Sequence, residues 1–493
     1  MISHTKEGFK NEIKNNRNFI FYKRINKFRY DPIPSFMDMV NEKRYSFLYE
    51  SVEKAKNKGR YSFCGYGPLS IIENKNNNLY LTNGKKKKKL KKSKNVLTQI
   101  NKIISNLNIS NIDELPPMAS AYFGYLSYEN INNVENITKK KKENDLNIPE
   151  SLLFIPEILI IFDNQKSILY VTKSILKTSS ATKISYKNIV KEYEEIIKKI
   201  KNNQEFKKIN LNKKVKLYPS SNMSKSKYIK NINKAKKYIK AGDIFQVVPS
   251  QRFCSNFNSN GKNLYQALRI TNPSPFLYYF NLPNFNIVGS SPEILVRLRK
   301  NKITIRPIAG TRPRGKNKSL DKNYEKDLLS DKKEVSEHLM LLDLGRNDVG
   351  KLSKSGTVKV TSSFYIEKYS HVMHIVSNVQ GTIKKNKTPI DALMAGFPAG
   401  TVTGAPKIRA MEIIDELEDT KRGIYAGGIG YISSNGEMDT CIALRTGIIH
   451  KKKLYVQAGG GIVYDSNPGM EYAETVNKAK ALFNAAEIAL GNQ

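Results

Sequence analysis

The sequence predicts an α+β fold built largely from antiparallel β-sheets. Candidate strands and helices occur in blocks and do not alternate strictly, which is the pattern of this class. Residues 154–163 are almost continuously apolar, as in a buried strand, and residues 168–175 follow as a hairpin partner. Residues 471–490 are typical of a helix, and the chain contains no internal repeat with a solenoid period.

The N-terminal part is predicted to form a β meander. Residues 1–30 carry no clear pattern, whereas residues 44–51 and 60–67 alternate between apolar and polar side chains, as strands do. Two further strands are predicted at 69–73 and 79–82, with the lysine-rich residues 85–94 as the next turn. The other elements predicted here are a helix at 95–107, a strand at 116–125 and an exposed loop at 130–147.

A polar, lysine-rich segment at 202–217, after a predicted helix at 189–201, is the best linker candidate. It divides the chain into an N-terminal region, residues 1–217, and a C-terminal region, residues 218–493. The second region opens with a helix for which Ser224 is a plausible N-cap and Gly242 the end. Its other predicted elements are strands at 244–253, 277–280, 287–289, 294–298, 303–305, 357–360 and 364–366, and helices at 389–394 and 406–417.

The net charge of +39, from 83 basic and 44 acidic residues, has two interpretations. Clustered Lys and Arg neutralise phosphates, so nucleic-acid binding is one of them. We favour a drift in composition at solvated positions, because the excess is mostly Lys and not the Arg that bidentate recognition uses. The lysine runs at 85–89 and 139–142 also fall where loops are expected. No nucleic-acid partner is therefore expected.

Cysteine content and hydropathy indicate a reducing, aqueous compartment. The three cysteines form no C-x-x-C pair, so neither a disulfide framework nor a thiolate zinc site is indicated. No run of about 18 apolar residues is present, and the N-terminal residues lack the apolar core of a secretory signal. We expect a cytoplasmic protein without a membrane partner.

Two helices carry a Glu-x-x-Glu pair. Glu334 and Glu337 lie on one face of a predicted helix that begins near residue 331 and ends at Gly345. The same spacing recurs in Glu471 and Glu474 of the C-terminal helix. Facing each other, the two pairs would form an all-oxygen site suited to Mg²⁺. The alternative is two unrelated solvated faces, and periodicity does not decide between them.

Three glycine-rich segments could approach an anionic ligand. Residues 308–315 place a hydroxyl and two guanidinium groups in a constrained loop, and residues 399–407 form a loop that opens a helix. Residues 457–462 contain three successive glycines, which let backbone amides come close to a ligand. His371 and His374 lie in an apolar strand pattern, where one of them could face a site, although core histidines are common.

Taken together, these segments resemble anthranilate synthase component I, a family of chorismate-binding enzymes. The resemblance starts near residue 31 and is dense from residue 221 onward. It rests on the strings AGDIFQVVPSQRF, NPSPF, VGSSPEILVRL, RPIAGTRPRG, EHLMLLDLGRNDVG, FPAGTVTGAPK, YAGGIGY and YAETVNKAKA.

The resemblance implies a sandwich of antiparallel sheets with helices outside, the chorismate-utilising fold. It implies a Mg²⁺-dependent reaction of chorismate with ammonia that gives anthranilate and pyruvate. By the same resemblance, Glu337 and Glu474 would be the metal ligands. Glu334 and Glu471 would be their water-holding or proton-handling neighbours. His374, Glu334 and Thr311 would be catalytic, and His374 would assist loss of the ring hydroxyl. The implied substrate-binding residues are Thr401, Tyr425, Arg445, Gly459, Gly460, Gly461 and Lys478.

The resemblance also implies regulation and a partner. The N-terminal region would bind tryptophan as a feedback inhibitor, through Glu50, Ser51, Asn272, Pro273, Ser274, Pro275 and Phe276. No cysteine lies in a glutaminase motif, so ammonia would come from a glutamine amidotransferase subunit within a heterotetramer. Aminodeoxychorismate synthase component I is the alternative in the same family. Its lysine-nucleophile members carry Lys where this chain has Ala309.

Overall fold

The computed structural model describes residues 1–52, 59–91, 95–110, 112–137, 142–177, 185–369 and 372–493. His371 and the lysines at 139–141 lie outside the described residues. The helices are α1 (Lys6–Lys14), α2 (Ile33–Glu42), α3 (Val96–Ser105), α4 (Tyr186–Asn202), α5 (Lys225–Lys240), α6 (Gly261–Thr271), α7 (Lys318–Ser330), α8 (Lys332–Leu352), α9 (Pro389–Gly396), α10 (Lys407–Leu417) and α11 (Pro468–Gly491).

The strands of the first half of the chain are β1 (Asn18–Ile25), β2 (Ser46–Glu50), β3 (Tyr61–Lys75), β4 (Asn78–Asn83), β5 (Lys86–Lys89), β6 (Ile109–Ser110), β7 (Ala121–Leu126), β8 (Ser151–Asp163), β9 (Ile168–Ile175) and β10 (Ser220–Ser221). Those of the second half are β11 (Gln246–Val247), β12 (Ser250–Asn256), β13 (Phe276–Asn281), β14 (Phe285–Ser291), β15 (Ile294–Arg299), β16 (Lys302–Ile305), β17 (Ile308–Pro313), β18 (Lys359–Lys368), β19 (Val372–Thr382), β20 (Gly404–Ala405), β21 (Gly428–Ser433), β22 (Met438–Ile442), β23 (Thr446–His450) and β24 (Lys453–Gly459).

Two sheets share the long strands β3 and β8, which pair with each other along most of their length. One sheet runs β6-β1-β9-β8-β3-β2-β13-β14-β23-β24-β12-β10. The other runs β5-β4-β3-β8-β7-β21-β22-β15-β16-β19, and β17 and β18 also pair with β19. Between these strands the pairing is antiparallel throughout the described chain, except for the short β1–β6 pair. The predicted largely antiparallel α+β sandwich is therefore confirmed.

Alternation along the strands separates two hydrophobic cores. On β2, Phe47 and Tyr49 belong to the core between the sheets, whereas Leu48 belongs to a second core outside them. Phe47 stacks on Phe123 of the opposite sheet with ring centroids 4.2 Å apart. The second core packs α2, α4, α6 and α11 onto the outer face of the first sheet. Helices thus lie outside the sandwich, as predicted.

Several local predictions are confirmed. Strand β9 has the predicted bounds, β8 extends the predicted strand by three residues, and Ser224 caps α5 by accepting a hydrogen bond from the Lys227 amide at 3.2 Å. Strands from both sides of residue 217 pair directly, in β2–β13 and β7–β21. The two sequence regions therefore build the same sheets, and the domain boundary stays a prediction.

Other local predictions are wrong. Helix α8 does not end at Gly345 but continues to Leu352, because Gly345 has helical backbone and is buried. The lysine-rich turn contains the edge strand β5, whose exposed side chains suit an edge that must not attract another strand. The predicted loop at 308–315 is mostly strand β17, with a register shift between Ala309 and Arg312. Residues 18–25 form β1, although no pattern was recognised there.

In the described part of the chain, no helix is long and apolar enough to cross a membrane.

Candidate active site

The first turns of α8 and α11 meet the glycine segment that follows β24. Gln246 of β11 donates a hydrogen bond from Nε2 to Glu337 Oε1 at 2.9 Å. The same Nε2 lies 2.7 Å from the position that a Cβ of Gly461 would occupy. A side chain at 461 would force the flexible Gln246 side chain to move and displace this amide from Glu337, so glycine suits the contact between the loop and α8. The structure thus brings Glu337 and Gly461, two predicted site residues, to the same place.

Helix α11 brings its carboxylates to the same loop. Glu471 Oε2 lies 3.2 Å from the position of a Gly460 Cβ and is buried without a hydrogen-bond partner in the described chain. Burial raises the pKa of Glu471, and the charge of Glu474 raises it further. Glu474 pairs with Lys478 at 2.6 Å, and Lys478 also donates to the Gly459 carbonyl at 3.1 Å. Lys478 therefore braces α11 against the glycine loop.

The carboxylates of α8 and α11 are oxygen donors of the kind that Mg²⁺ prefers, and the magnesium site stays a prediction. The buried oxygen Oε2 of Glu471 has no hydrogen-bond donor to satisfy it among the residues that the structure describes. Within the described residues, no group of three or more His, Cys, Asp or Glu side chains could hold a metal ion by itself. A bound Mg²⁺ would need water or substrate oxygens as well, which this ion commonly uses.

His374 of β19 and Thr311 of β17 are in contact. His374 Nδ1 lies 2.8 Å from the Gly310 carbonyl oxygen and 3.2 Å from Thr311 Oγ1. Because a carbonyl only accepts, Nδ1 carries the hydrogen and Nε2 is the ring atom left for a ligand. Burial lowers the pKa of His374 to about 4, and the nearby positive charge of Arg445 also lowers it. The imidazole is therefore neutral at pH 7.

Glu334 lies beside this pair. Its Oε2 is 3.2 Å from the Cβ position of Gly310, a residue with φ +66 that a side chain would strain. Arg312 donates to Glu334 Oε1 at 3.2 Å. Burial raises the pKa of Glu334, as does the charge of Glu337. The carboxylate is therefore held between α8 and the bulge of β17.

Arg445 is a mostly buried cation that has no acidic partner among the described residues. Its guanidinium forms no ion pair or side-chain hydrogen bond with the described residues, and burial lowers its pKa. The residue has φ +48, in the left-handed region that costs about 1–3 kcal/mol for a residue other than glycine. Its charge acts on His374. A strained, desolvated guanidinium at this place can receive a carboxylate from a ligand.

Glu293 belongs to the site, although the sequence analysis assigned it no role. Thr401 donates from Oγ1 to Glu293 Oε2 at 3.2 Å and to Oε1 at 3.3 Å. Burial raises the pKa of Glu293 to about 8, against the hydrogen bonds from Thr401 and the Ile308 amide. A carboxylic acid that keeps its proton at pH 7 can deliver that proton. The string SSPE, which carries part of the resemblance, was the available signal.

The remaining predicted substrate-binding groups are Tyr425 and the backbone amides of Gly459, Gly460 and Gly461. The Gly459 amide donates to the hydroxyl of Tyr425, and the Gly460 amide donates to the Pro249 carbonyl at 3.3 Å. The Gly461 amide has no acceptor among the described residues. It is thus the amide of the three that remains available to an anion. Arg422 lies over the Tyr425 ring, with its guanidinium carbon 5.5 Å from the centroid, and holds it in place.

Four of the seven predicted tryptophan-binding residues line a cavity of about 1140 Å³: Glu50, Ser51, Pro275 and Phe276. Asn272, Pro273 and Ser274 are not part of its lining. The Glu50 carboxylate itself is occupied, by Arg269 at 2.7 and 2.8 Å and by the Tyr265 hydroxyl at 2.9 Å. The segment 272–276 is bonded to the strand end that precedes Glu293: Ser290 Oγ donates to the Asn272 carbonyl and Ser274 Oγ to the Ser291 carbonyl.

Comparison with known proteins gives a consistent result. Residues 45–484 match the model of a family described as chorismate binding enzyme. Anthranilate synthase component 1 of Acetivibrio thermocellus is 44% identical over 462 residues, which is 92% of each chain. The protein of the same name from Cereibacter sphaeroides is 62% identical over 269 residues, 55% of this chain and 54% of that one.

Solved structures agree. Anthranilate synthase component I from Streptococcus pneumoniae TIGR4 superimposes with a TM-score of 0.76 at 35% identity, over 93% of this chain and 99% of that chain. MenF, the isochorismate synthase from Escherichia coli, gives a TM-score of 0.71 over 97% of this chain and 98% of that chain. At 17% identity it shares the fold alone.

The chain therefore belongs to the family of chorismate binding enzymes. Within this family it falls in the branch of anthranilate synthase component 1, as the relatives that match it along more than nine-tenths of its length indicate.

Proposed function

We propose that the protein converts chorismate and ammonia to anthranilate and pyruvate, the committed step toward tryptophan. The observation that carries the proposal is the desolvated guanidinium of Arg445, which has no partner among the described residues. Chorismate would bring two carboxylates. Two further groups have no hydrogen-bond partner in the part of the chain that the structure describes: the amide of Gly461 and the carboxylate oxygen Oε2 of Glu471. The guanidinium can receive a carboxylate from substrate, and the Glu471 oxygen a cation.

The residues divide the reaction between binding and proton transfer. Arg445 and Tyr425 would hold the enolpyruvyl carboxylate, and the Gly461 amide with Thr401 would hold the ring carboxylate. Protonated Glu293 would give its proton to the C4 hydroxyl as water leaves and ammonia adds at C2. Neutral His374, fixed by Gly310 through Nδ1, would present an unprotonated Nε2 to the ring. Because such a nitrogen has no proton to give, we assign the loss of the ring hydroxyl, expected of His374 from the resemblance, to Glu293. Elimination of pyruvate then aromatises the ring.

Magnesium is the proposed cofactor, held by Glu337 and Glu474, with Glu334 and Glu471 beside them. When bound, it would neutralise the ring carboxylate and polarise the alkene conjugated with it. Lys478, which pairs with Glu474 at 2.6 Å, would shift its contact when that carboxylate takes a metal.

Ala309 supports ammonia as the nucleophile. Its methyl group is 9% exposed and supplies no nucleophile, so a covalent lysine route does not start at this position. We propose that ammonia comes from a glutamine amidotransferase subunit in a cytoplasmic heterotetramer, because the sequence contains no glutaminase motif. The isolated chain would then require ammonium salts.

The purified chain with chorismate, Mg²⁺ and ammonium is expected to produce the fluorescence of anthranilate. Replacing Glu337 with glutamine, which keeps the shape and removes the charge, should abolish turnover. Replacing Glu194, an exposed carboxylate, in the same way serves as the control. The absence of anthranilate above background with the unaltered chain would refute the proposed reaction, and an active Glu337→Gln variant would refute the metal assignment.

Tryptophan is the proposed inhibitor, bound in the cavity lined by Ser51 and Phe276. Replacing Phe276 with alanine removes apolar surface from the cavity, so the inhibitory tryptophan concentration should rise about tenfold or more. Activity without tryptophan should change little, since the cavity that Phe276 lines contains none of the proposed catalytic residues. Tyr218→Ala, at a 76% exposed position outside the cavity, is the control. If tryptophan inhibited both variants equally, this cavity would not be the tryptophan-binding site.

A further inference from the structure

Arg312, a partly buried residue of β17, connects several elements around the proposed active site. The side chain leaves β17 directly after Thr311. Its guanidinium donates to Asp327 of α7 at 2.5 Å, to Asp331 at 2.7 Å and to Glu334 of α8 at 3.2 Å. It also donates to the carbonyl of Thr311 at 3.1 Å. One planar cation thus connects β17, α7 and the start of α8.

These contacts determine where the Glu334 carboxylate lies. Burial and the charge of Glu337 both oppose an ionised Glu334 in this place. Arg312 supplies the opposite charge on one side, and Gly310 leaves the space on the other. Asp331, held by Arg312, also caps α8 by accepting from the amides of Lys333 and Glu334. The guanidinium therefore fixes both the side chain of Glu334 and the helix turn that carries it.

We propose that Arg312 is a positioning residue of the site. It holds the carboxylate of Glu334 against Gly310, whose carbonyl in turn fixes the His374 ring. Arg312 points to no substrate group itself and acts through Glu334 and the Thr311–Gly310 backbone. The expected effect on kcat rests on the proposed function. The expected effect on the position of Glu334 rests on the contacts alone.

The geometry needs an arginine, because three carboxylates and a carbonyl surround one planar group. A lysine ammonium is a point charge with no fixed fork and can satisfy only part of this set. The Arg312→Lys variant is therefore expected to keep Glu334 in place with looser order, whereas Arg312→Gln releases it. The matched control is Arg409 of α10, which pairs with Asp243 at 2.8 Å and with Glu412 of the same helix at 2.9 Å. Neither of these two partners is a residue of the proposed site.

Two measurements on the full chain test the proposal. In steady-state assays with chorismate, Mg²⁺ and ammonium, Arg312→Gln should lower kcat by about 10- to 100-fold, the usual effect of removing a supporting contact. The KM for chorismate should stay within about threefold, because Arg445 and Gly461 are unchanged. Arg312→Lys should recover a large part of kcat, and Arg409→Gln should keep nearly all of it.

Crystal structures of the same variants provide a readout that does not depend on activity. The Glu334 carboxylate should leave Gly310 in Arg312→Gln and remain there in Arg312→Lys. If Glu334 keeps its position in Arg312→Gln, the inference is wrong. It is also wrong if kcat falls only in proportion to the fraction of unfolded protein, as measured by thermal melting. An unaltered chain that makes no anthranilate would refute the proposed function, while the crystallographic comparison would still decide the role of Arg312.

Discussion

Replacing Arg445 with alanine is expected to lower kcat/KM for chorismate by about 30- to 5,000-fold, equivalent to roughly 2–5 kcal/mol. The guanidinium is desolvated in the free protein and no carboxylate of the described chain compensates it. A substrate carboxylate would supply the missing partner. The binding site therefore carries an unpaired charge that only ligand binding satisfies, and removing this charge removes the interaction with the ligand.

Replacing Arg445 with alanine should also have an unusual effect on the free energy of unfolding. Removing an unpaired buried cation removes a desolvation cost, so the free energy of unfolding of Arg445→Ala should stay equal or rise. Arg422 is the matched contrast: it is also buried, but pairs with Glu418 at 2.6 Å. Its replacement leaves the buried Glu418 carboxylate without its charged partner. The hydrogen bonds from the Ser250 amide and hydroxyl remain, and the replacement should cost about 3–5 kcal/mol.

Steady-state kinetics and urea unfolding of the two variants measure both effects. Loss of activity together with loss of stability in Arg445→Ala would show that the residue is structural. An unchanged kcat/KM would show that Arg445 does not contact chorismate.

The sequence predicted those parts of the fold whose physical signal is local. Apolar runs predicted β8 and β9, and a serine before a helical stripe predicted the cap of α5. Strand β5 could not be predicted in this way, because four lysines have no strand pattern and form one only by pairing with β4. The end of α8 was wrong since Gly345 marks a helix end only with positive φ, and packing keeps it helical.

The candidate site shows the same division. Spacing placed Glu334 with Glu337 and Glu471 with Glu474, but pairing across the two helices depends on the tertiary arrangement. Glu293 escaped notice because a single glutamate in a strand-like segment has no periodic signal. Its significance comes from burial and from Thr401, which lies 108 residues away in sequence. Likewise, nothing in the residues around Arg445 indicates that its guanidinium lacks a partner.

Replacing Glu293 with glutamine is expected to lower kcat by about 100- to 10,000-fold, the range for loss of a general acid. Glutamine still accepts the hydrogen bond from Thr401 and keeps the volume, so the KM for chorismate should change little. In the unaltered protein kcat/KM should fall as pH rises through about 8, where the buried carboxyl loses its proton. This alkaline limb should be absent in Glu293→Gln. In Thr401→Val it should move to higher pH, because the Thr401 hydrogen bond lowers the pKa of Glu293.

The same group links stability to pH with a defined sign. Its pKa rises from 4.5 to about 8 on folding, so the protonated folded state is favoured at low pH. Glu293 therefore contributes stability that is fully present below pH 4.5 and is lost as pH rises through about 8. The loss approaches about 1.4 kcal/mol per pH unit within this window. Urea unfolding of Glu293→Gln should lack this component, so the variant should gain stability relative to the unaltered protein between pH 5 and 8. A constant difference across the window would mean that Glu293 is ionised in the folded protein and cannot be the acid.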